Sequence, residues 1–246
     1  MKEKIYTIPV NDAFSSNERC PLCDLEHNLN DQLLDYYLGP SLMEPDVRQT
    51  TNEKGFCRDH LLMLYNKESN RLGLGLMLHT HLSDLIKDLS PEMKKSIPKE
   101  SVLGKGKKNY KQALHKTADL IEEKVKSCVI CERMEATMDR YLDVIFYEYV
   151  NDPAFKAKFE AVQGFCLPHL ALLLRGAAKY LNSNQASAFV SDLTRIQGRF
   201  LETLRDDVEW FTLKYDHKNR DKSWKNSKDA LPRSIRVLSG TVFKDE

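Results

Sequence analysis

The sequence predicts an all-α protein with an internal duplication: two helical units, each closed by a Cys3His metal site and braced by one long helix. Two observations carry this. Cys20-Pro21-Leu22-Cys23 is answered 34 residues later by Gly55-Phe56-Cys57-Arg58-Asp59-His60, and Cys128-Val129-Ile130-Cys131 is answered 35 residues later by Gly164-Phe165-Cys166-Leu167-Pro168-His169. All six cysteines of the 246 residues fall into these two sets. The second observation is periodicity: apolar residues recur at spacings of three and four over long stretches, with only 10 glycines and 9 prolines to interrupt them.

Taken in order, Ile5 to Val10 read as a short extended segment. A helix follows from Asp24, with Leu29, Leu33, Leu34, Tyr37 and Leu38 on one stripe, ending at Gly39-Pro40. Glu44-Pro45 starts a short helix, since proline suits a first helical position, and Cys57 to His60 opens another. A long apolar helix carries Leu78, Leu82, Leu85, Ile86 and Leu89. Ser90-Pro91, Pro98, Gly104 and Gly106 mark residues 90–109 as a linker.

A helix from about Tyr110 leads to Cys128, and the pattern then repeats. Met134, Met138, Tyr141, Leu142, Ile145 and Tyr149 form a stripe. Asp152-Pro153 starts the next helix, as Glu44-Pro45 does. The longest helix, over 186–215, has Phe189, Leu193, Ile196, Phe200, Leu204, Val208, Phe211 and Tyr215 on one face. The implied division is a metal-binding unit at 1–89, a basic linker at 90–109, a second metal-binding unit at 110–185, the bracing helix at 186–216 and a basic tail at 217–246, packed as one compact domain.

The chemistry lies in the motifs. Two cysteines separated by two residues aim both sulfurs at one point, and a CxxH pair at a helix start does the same from the other side. The expected ligand sets are Cys20, Cys23, Cys57 and His60 in the first unit and Cys128, Cys131, Cys166 and His169 in the second, each metal closing its own helical hairpin. Four protein ligands leave no open position, which is the pattern of a structural centre. Two zinc ions are the expected occupants; iron–sulfur clusters at the same ligands are the alternative. His79 and His81, two apart on a helix, cannot share a metal. His27 lies one turn after Cys23 without an equivalent in the other repeat.

Composition excludes several classes. No apolar run reaches the roughly 18 residues of a membrane span, and the N-terminus lacks the apolar stretch of a secretory signal, so a cytoplasmic location is expected. Net charge is +1, but residues 91–111 hold seven lysines against two glutamates, and residues 214–236 hold eight Lys or Arg against three Asp. The basic tail with Tyr215 and Trp224 could meet nucleic acid; docking on the protein's own acidic surface is the favoured reading. The sequence has no Gly-rich phosphate loop, GxSxG or HExxH motif.

At Met43 to Arg48, Thr51 to Cys57, Asn70 to Gly73 and Leu76 to His81 the chain resembles an uncharacterised bacterial family, domain of unknown function 6062. The likeness continues through Lys214 to Arg220, Trp224 and Lys228 to Arg233. The resemblance implies a bacterial cytosolic protein and names no reaction. It also draws attention to Glu44, Asp46, Arg48 and Asn52, which the second repeat lacks. Three functions therefore stand open: a metal-stapled binding or scaffold protein meeting a protein partner or small ligand, an iron–sulfur or thiol-based redox sensor, and an enzyme with a site near Arg48 and the C-terminal tail. Oligomeric state is not legible.

Overall fold

A computed structural model describes residues 4–16, 20–98 and 109–241, and among these every regular element is helical. The helices are α1 (Lys4–Ala13), α2 (Pro21–Leu38), α3 (Pro45–Lys54), α4 (Arg58–Asn66), α5 (Arg71–Lys95), α6 (Asn109–Lys126), α7 (Val129–Asn151), α8 (Pro153–Ala161), α9 (Leu167–Tyr180), α10 (Ser183–Leu213) and α11 (Ala230–Ser239). Short 3₁₀ turns occupy Pro40–Met43 and His217–Asn219.

The punctuation acts as its chemistry dictates. Pro45 and Pro153 sit at the first positions of α3 and α8, where a missing N–H costs nothing. Asn182 and Gln185 form a reciprocal capping box at the start of α10. Ser90 and Pro91, expected to break the chain, lie inside α5. Residues 99–108 of the expected linker lie outside the described residues.

One expectation fails at the N-terminus. The Ile5 to Val10 stretch is helical, with Pro9 inside α1. Burial decides this over β propensity: Val10, Ala13 and Phe14 lie on one helical side and are 0–7% exposed.

The chain partitions into two compact units, but not in sequence order. The first unit is Met1–Asn28 with Ala136–Glu246, and the second is Leu29–Glu135. The boundaries of these units fall within α2 and within α7. Each unit takes the CxxC of one repeat and the CxxH of the other.

Rings fill the first unit. Phe155, Phe159, Phe165 and Phe189 are fully buried. Phe159 lies 5.0 Å from Phe189, 5.2 Å from Tyr149, 5.7 Å from Phe165 and 5.9 Å from Phe14. Helix α10, at 31 residues, is about 46 Å long and packs on α8, α9 and α11 of its own unit. Phe189, Leu193, Ile196 and Leu204 of its expected stripe are buried, whereas Tyr215, past its end, is 76% exposed. The tail returns to this unit: α11 packs on α9 and α10, and Trp224 lies 5.9 Å from Phe211. The Lys214 ammonium is buried, donating to the carbonyls of Asn219, Arg220 and Lys222.

In the second unit, Leu29, Leu33, Leu34, Tyr37 and Leu38 of α2 are all buried. Helix α3 docks on α5 through polar groups. The Arg48 guanidinium donates to the Leu76 carbonyl at 3.0 Å and to Thr80 Oγ1 at 2.7 Å, while Thr80 donates to Asn52 Oδ1 at 2.6 Å. Helix α6 runs with α5, their register marked by buried Ser96 and Thr117, hydroxyl to hydroxyl at 2.9 Å. The apolar face expected of α5 is not its core face. Leu74 and Met77 are buried, but Leu82 is 53% and Ile86 63% exposed.

Candidate metal centres

Each CxxC opens a helix and each CxxH caps another. Cys20 precedes α2, and the Cys23 N–H closes the knuckle on the Cys20 carbonyl at 2.9 Å. Cys128 precedes α7, with the Glu132 N–H on its carbonyl at 3.1 Å. Cys57 and Cys166 are the N-caps of α4 and α9 in near-identical extended conformations, φ −70°, ψ 170° and φ −69°, ψ 155°. The ligands therefore sit at helix N-termini, whose partial positive charge favours thiolates.

The eight residues form two clusters, and the pairing is crossed. Cys20, Cys23, Cys166 and His169 make the first centre, within the first unit; Cys57, His60, Cys128 and Cys131 make the second, within the second unit. The expectation that each repeat closes its own CxxC on its own CxxH is overturned. The reason is a mismatch of lengths. Helix α2 leaves its knuckle for 18 residues and α7 for 23, whereas the return helices α3 and α8 have 10 and 9. At ~1.5 Å per residue, each return helix covers about half or less of the outward one, so a CxxH reaches the other repeat's knuckle instead.

Within each centre the four ligand atoms lie within 4.8 Å of one another. In the first, His169 Nδ1 is 3.6, 3.3 and 3.1 Å from the sulfurs of Cys20, Cys23 and Cys166, and Cys23 Sγ is 3.6 Å from Cys166 Sγ. In the second, His60 Nδ1 is 3.2, 3.3 and 3.3 Å from those of Cys57, Cys128 and Cys131, with Cys57 Sγ 3.7 Å from Cys131 Sγ. These separations far exceed a disulfide bond of about 2.05 Å.

Both imidazoles turn Nδ1 to the sulfurs, and Nε2 meets a partner that sequence reasoning missed. His169 Nε2 faces Glu26 Oε2 at 3.4 Å, and His60 Nε2 donates to Asn30 Oδ1 at 3.1 Å. Such outer partners fix the tautomer and ring orientation of a metal-binding histidine. Glu26 lies three residues beyond Cys23 on α2, a spacing that puts it on the ligand side. Asn30 carried no comparable signal.

Crowding shapes the protonation of the clusters. Hydrogen bonding to Cys166 and Cys20, then burial, pushes the Cys23 thiol far above its ordinary value. Burial, then Cys128 and Cys57, pushes Cys131 up. Hydrogen bonds from Cys20 and Cys23, with His169, hold Cys166 far below the ordinary thiol range. Burial works against the His169 imidazolium, but hydrogen bonds to Cys166, Cys20 and Glu26 outweigh it and hold it up at about 12. Burial lowers His60. Three sulfurs this close cannot all ionise without a counter-charge, and a divalent cation held at the centre of each cluster would supply one.

The repeated Gly-Phe before each CxxH is needed for different reasons. Gly55 ends α3 at φ +64°, where a side chain is strained; its carbonyl accepts the Val129 N–H at 3.1 Å, tying this loop to the Cys128 knuckle. Gly164 is a matter of space, since a Cβ there would stand 2.1 Å from the Phe200 ring. The loop is then clamped by buried Gln197, which accepts from the Phe165 N–H and donates to the Phe165 carbonyl, both at 3.0 Å.

Arg48, Asn52 and His81, also singled out by sequence, have local roles. Arg48 and Asn52 join α3 to α5, and His81 Nδ1 donates to the Asn52 carbonyl at 2.9 Å. Arg48 belongs to the second unit and the tail to the first. A cavity of about 610 Å³ beside the Pro40–Met43 turn and the start of α5 is lined by none of the eight ligand residues. Among the described residues, no helix is long and apolar enough to cross a membrane.

The comparison with protein families agrees with the resemblance read from the motifs. The model of a family of unknown function, DUF6062, matches residues 1–245. The chain belongs to that family. No curated protein and no solved structure matches it. The crossed centres therefore give this DUF6062 chain its most specific chemical feature.

Proposed function

We propose that the chain is a metal-stapled helical scaffold that holds two single zinc ions, one per unit, and acts through its surfaces on a protein partner or small ligand. The observation that carries this reading is the size of the ligand clusters. Four ligands converging tetrahedrally on one zinc, at about 2.3 Å for sulfur and 2.0–2.1 Å for nitrogen, stand about 3.7 Å apart sulfur to sulfur and about 3.5 Å sulfur to nitrogen. Here one sulfur pair in each centre stands 3.6 or 3.7 Å apart, sulfur to nitrogen runs 3.1–3.6 Å, and all four ligand atoms of a centre lie within 4.8 Å of one another. A cluster of several irons, each with its own protein ligand, spreads its ligands further, which favours single ions over the iron–sulfur alternative.

In the first centre the ion would be held by Cys20, Cys23, Cys166 and His169, with Glu26 orienting the imidazole. In the second, Cys57, His60, Cys128 and Cys131 would hold it, with Asn30 in that place. A bound zinc supplies cross-linking energy there and, with all four positions taken by protein, no open site for substrate. The fixing of Lys214 by three carbonyls and of Arg233 by Asp207 and Asp229 supports a tail docked on its own unit over one that binds nucleic acid.

The test is elemental analysis of protein purified without oxygen. About two zinc per chain in a colourless preparation is the expected result. Brown protein with iron and acid-labile sulfide would replace this reading with a redox sensor, and protein with neither metal would end both.

A further inference from the structure

The two centres share a ligand set but not an environment, and the difference orders them. This inference rests on the metal-binding reading above. In the first centre the imidazole Nε2 faces a carboxylate, Glu26 Oε2. In the second it donates to a neutral amide, Asn30 Oδ1, whose own nitrogen is occupied by Met63 Sδ at 3.3 Å. A carboxylate accepting from Nε2–H raises the basicity of Nδ1 and strengthens its hold on a metal, an effect worth ~10–100-fold in affinity in other zinc sites. The amide does less.

Access differs in the same direction. The first centre's Cys166 is 3% exposed, and its other two cysteines are half-buried. In the second centre Cys131 is exposed and Cys57 half-buried, although Cys128 is not. The supporting backbone differs too. The Phe165 loop before Cys166 is clamped through both backbone groups by buried Gln197, whereas the loop before Cys57 meets the opposing knuckle through the Val129 N–H to Gly55 carbonyl bond and the exposed Lys54–Glu132 ion pair.

We propose that the Cys57, His60, Cys128 and Cys131 centre is the exchangeable one, releasing its metal first and admitting soft electrophiles at Cys131, while the Cys20, Cys23, Cys166 and His169 centre is a permanent staple. With an activated alkene, Cys131 Sγ forms the new carbon–sulfur bond, the alkene π pair moves to the neighbouring carbon, and that carbon takes its proton from water. The centre is then one thiolate short, and the start of α4 loses its tie to the start of α7. What still joins them locally is the Val129 to Gly55 bond and the exposed Lys54–Glu132 ion pair. The second unit thus carries a lock that thiol chemistry can open without touching the first.

The experiment uses the full zinc-loaded chain, N-ethylmaleimide and a chromogenic zinc chelator, with peptide mass mapping at intervals. Zinc is expected to leave in two phases, one ion about tenfold or more faster than the other. The early label should fall on Cys131, then on Cys57 and Cys128. Asn30→Asp should slow the fast phase and Glu26→Gln should quicken the slow one. A single phase, or early label on Cys20 or Cys23, would overturn the ordering; two phases unmoved by either substitution would overturn the role given to Glu26 and Asn30. A preparation that carries no zinc at the outset would instead sink the metal-binding reading beneath it.

Discussion

Removing both metals with a strong chelator is expected to lower the thermal midpoint of the full chain by about 10 °C or more, and returning zinc should restore it. Structural zinc in small peptides contributes an apparent ~10–16 kcal/mol. Only part of that is needed here, because each unit also has a core of its own. At about 2–4 °C per kcal/mol for a chain of 150–250 residues, a net ~4 kcal/mol gives ~8–16 °C. Each centre clips segments remote in sequence, Cys23 to Cys166 and Cys57 to Cys131, so chelation releases long loops rather than local turns. Acid should act in the same sense, since protons compete for thiolate and imidazole ligands. Calorimetry of zinc-loaded and chelated protein is the measurement, and coincident melts would show that the clusters hold nothing.

Phe159→Ala should be the most damaging substitution outside the centres. The ring is fully buried and touches Phe14, Tyr149, Phe165 and Phe189. Removing a buried phenylalanine costs about 3–5 kcal/mol, because the lost transfer energy is joined by the cavity left behind. Four aromatic neighbours held by the turn after α1, by α7 and α10 and by the loop before α9 cannot all collapse inward, which puts the value at the upper end. A denaturation midpoint lower by that amount, with two zinc ions still bound, would separate the aromatic core from the metals. A cost under about 1 kcal/mol, the ordinary scale of a core swap that conserves volume, would mean the ring cluster is not packed as described.

Much of this was legible. The stripes of α2 and α7 and the prolines opening α3 and α8 follow from spacing and local chemistry, which tertiary contacts did not overrule. Where a segment carried two signals, the structure chose by burial. The stretch from Ile5 favours strands residue by residue, yet Val10, Ala13 and Phe14 fall on one helical side. On α5 a regular leucine stripe implied a core face, but a repeating pattern does not say what lies opposite it.

The eight ligand residues could be named because metal chemistry demands thiolate and imidazole at CxxC and CxxH spacing. Their pairing could not be taken from order along the chain. A clue was present: Pro45 and Pro153 each lie 22 residues beyond the preceding knuckle, while the CxxH follows only 12 or 13 residues after the proline. The return is therefore shorter than the outward run. Glu26, Asn30 and Gln197 were illegible for another reason, since polar residues on a helix look alike until the group they face is known.

The crossed pairing is the central claim, and alkylation mapping of Cys131→Ser tests it most directly. The zinc-loaded full-length variant should keep about one ion. Cys57 and Cys128, having lost their partner, should react readily with a maleimide, while Cys20, Cys23 and Cys166 stay protected until a chelator is added. Pairing in sequence order makes the opposite demand: Cys128 and Cys166 would be labelled together, and Cys57 would remain protected alongside Cys20 and Cys23. That pattern would contradict the account.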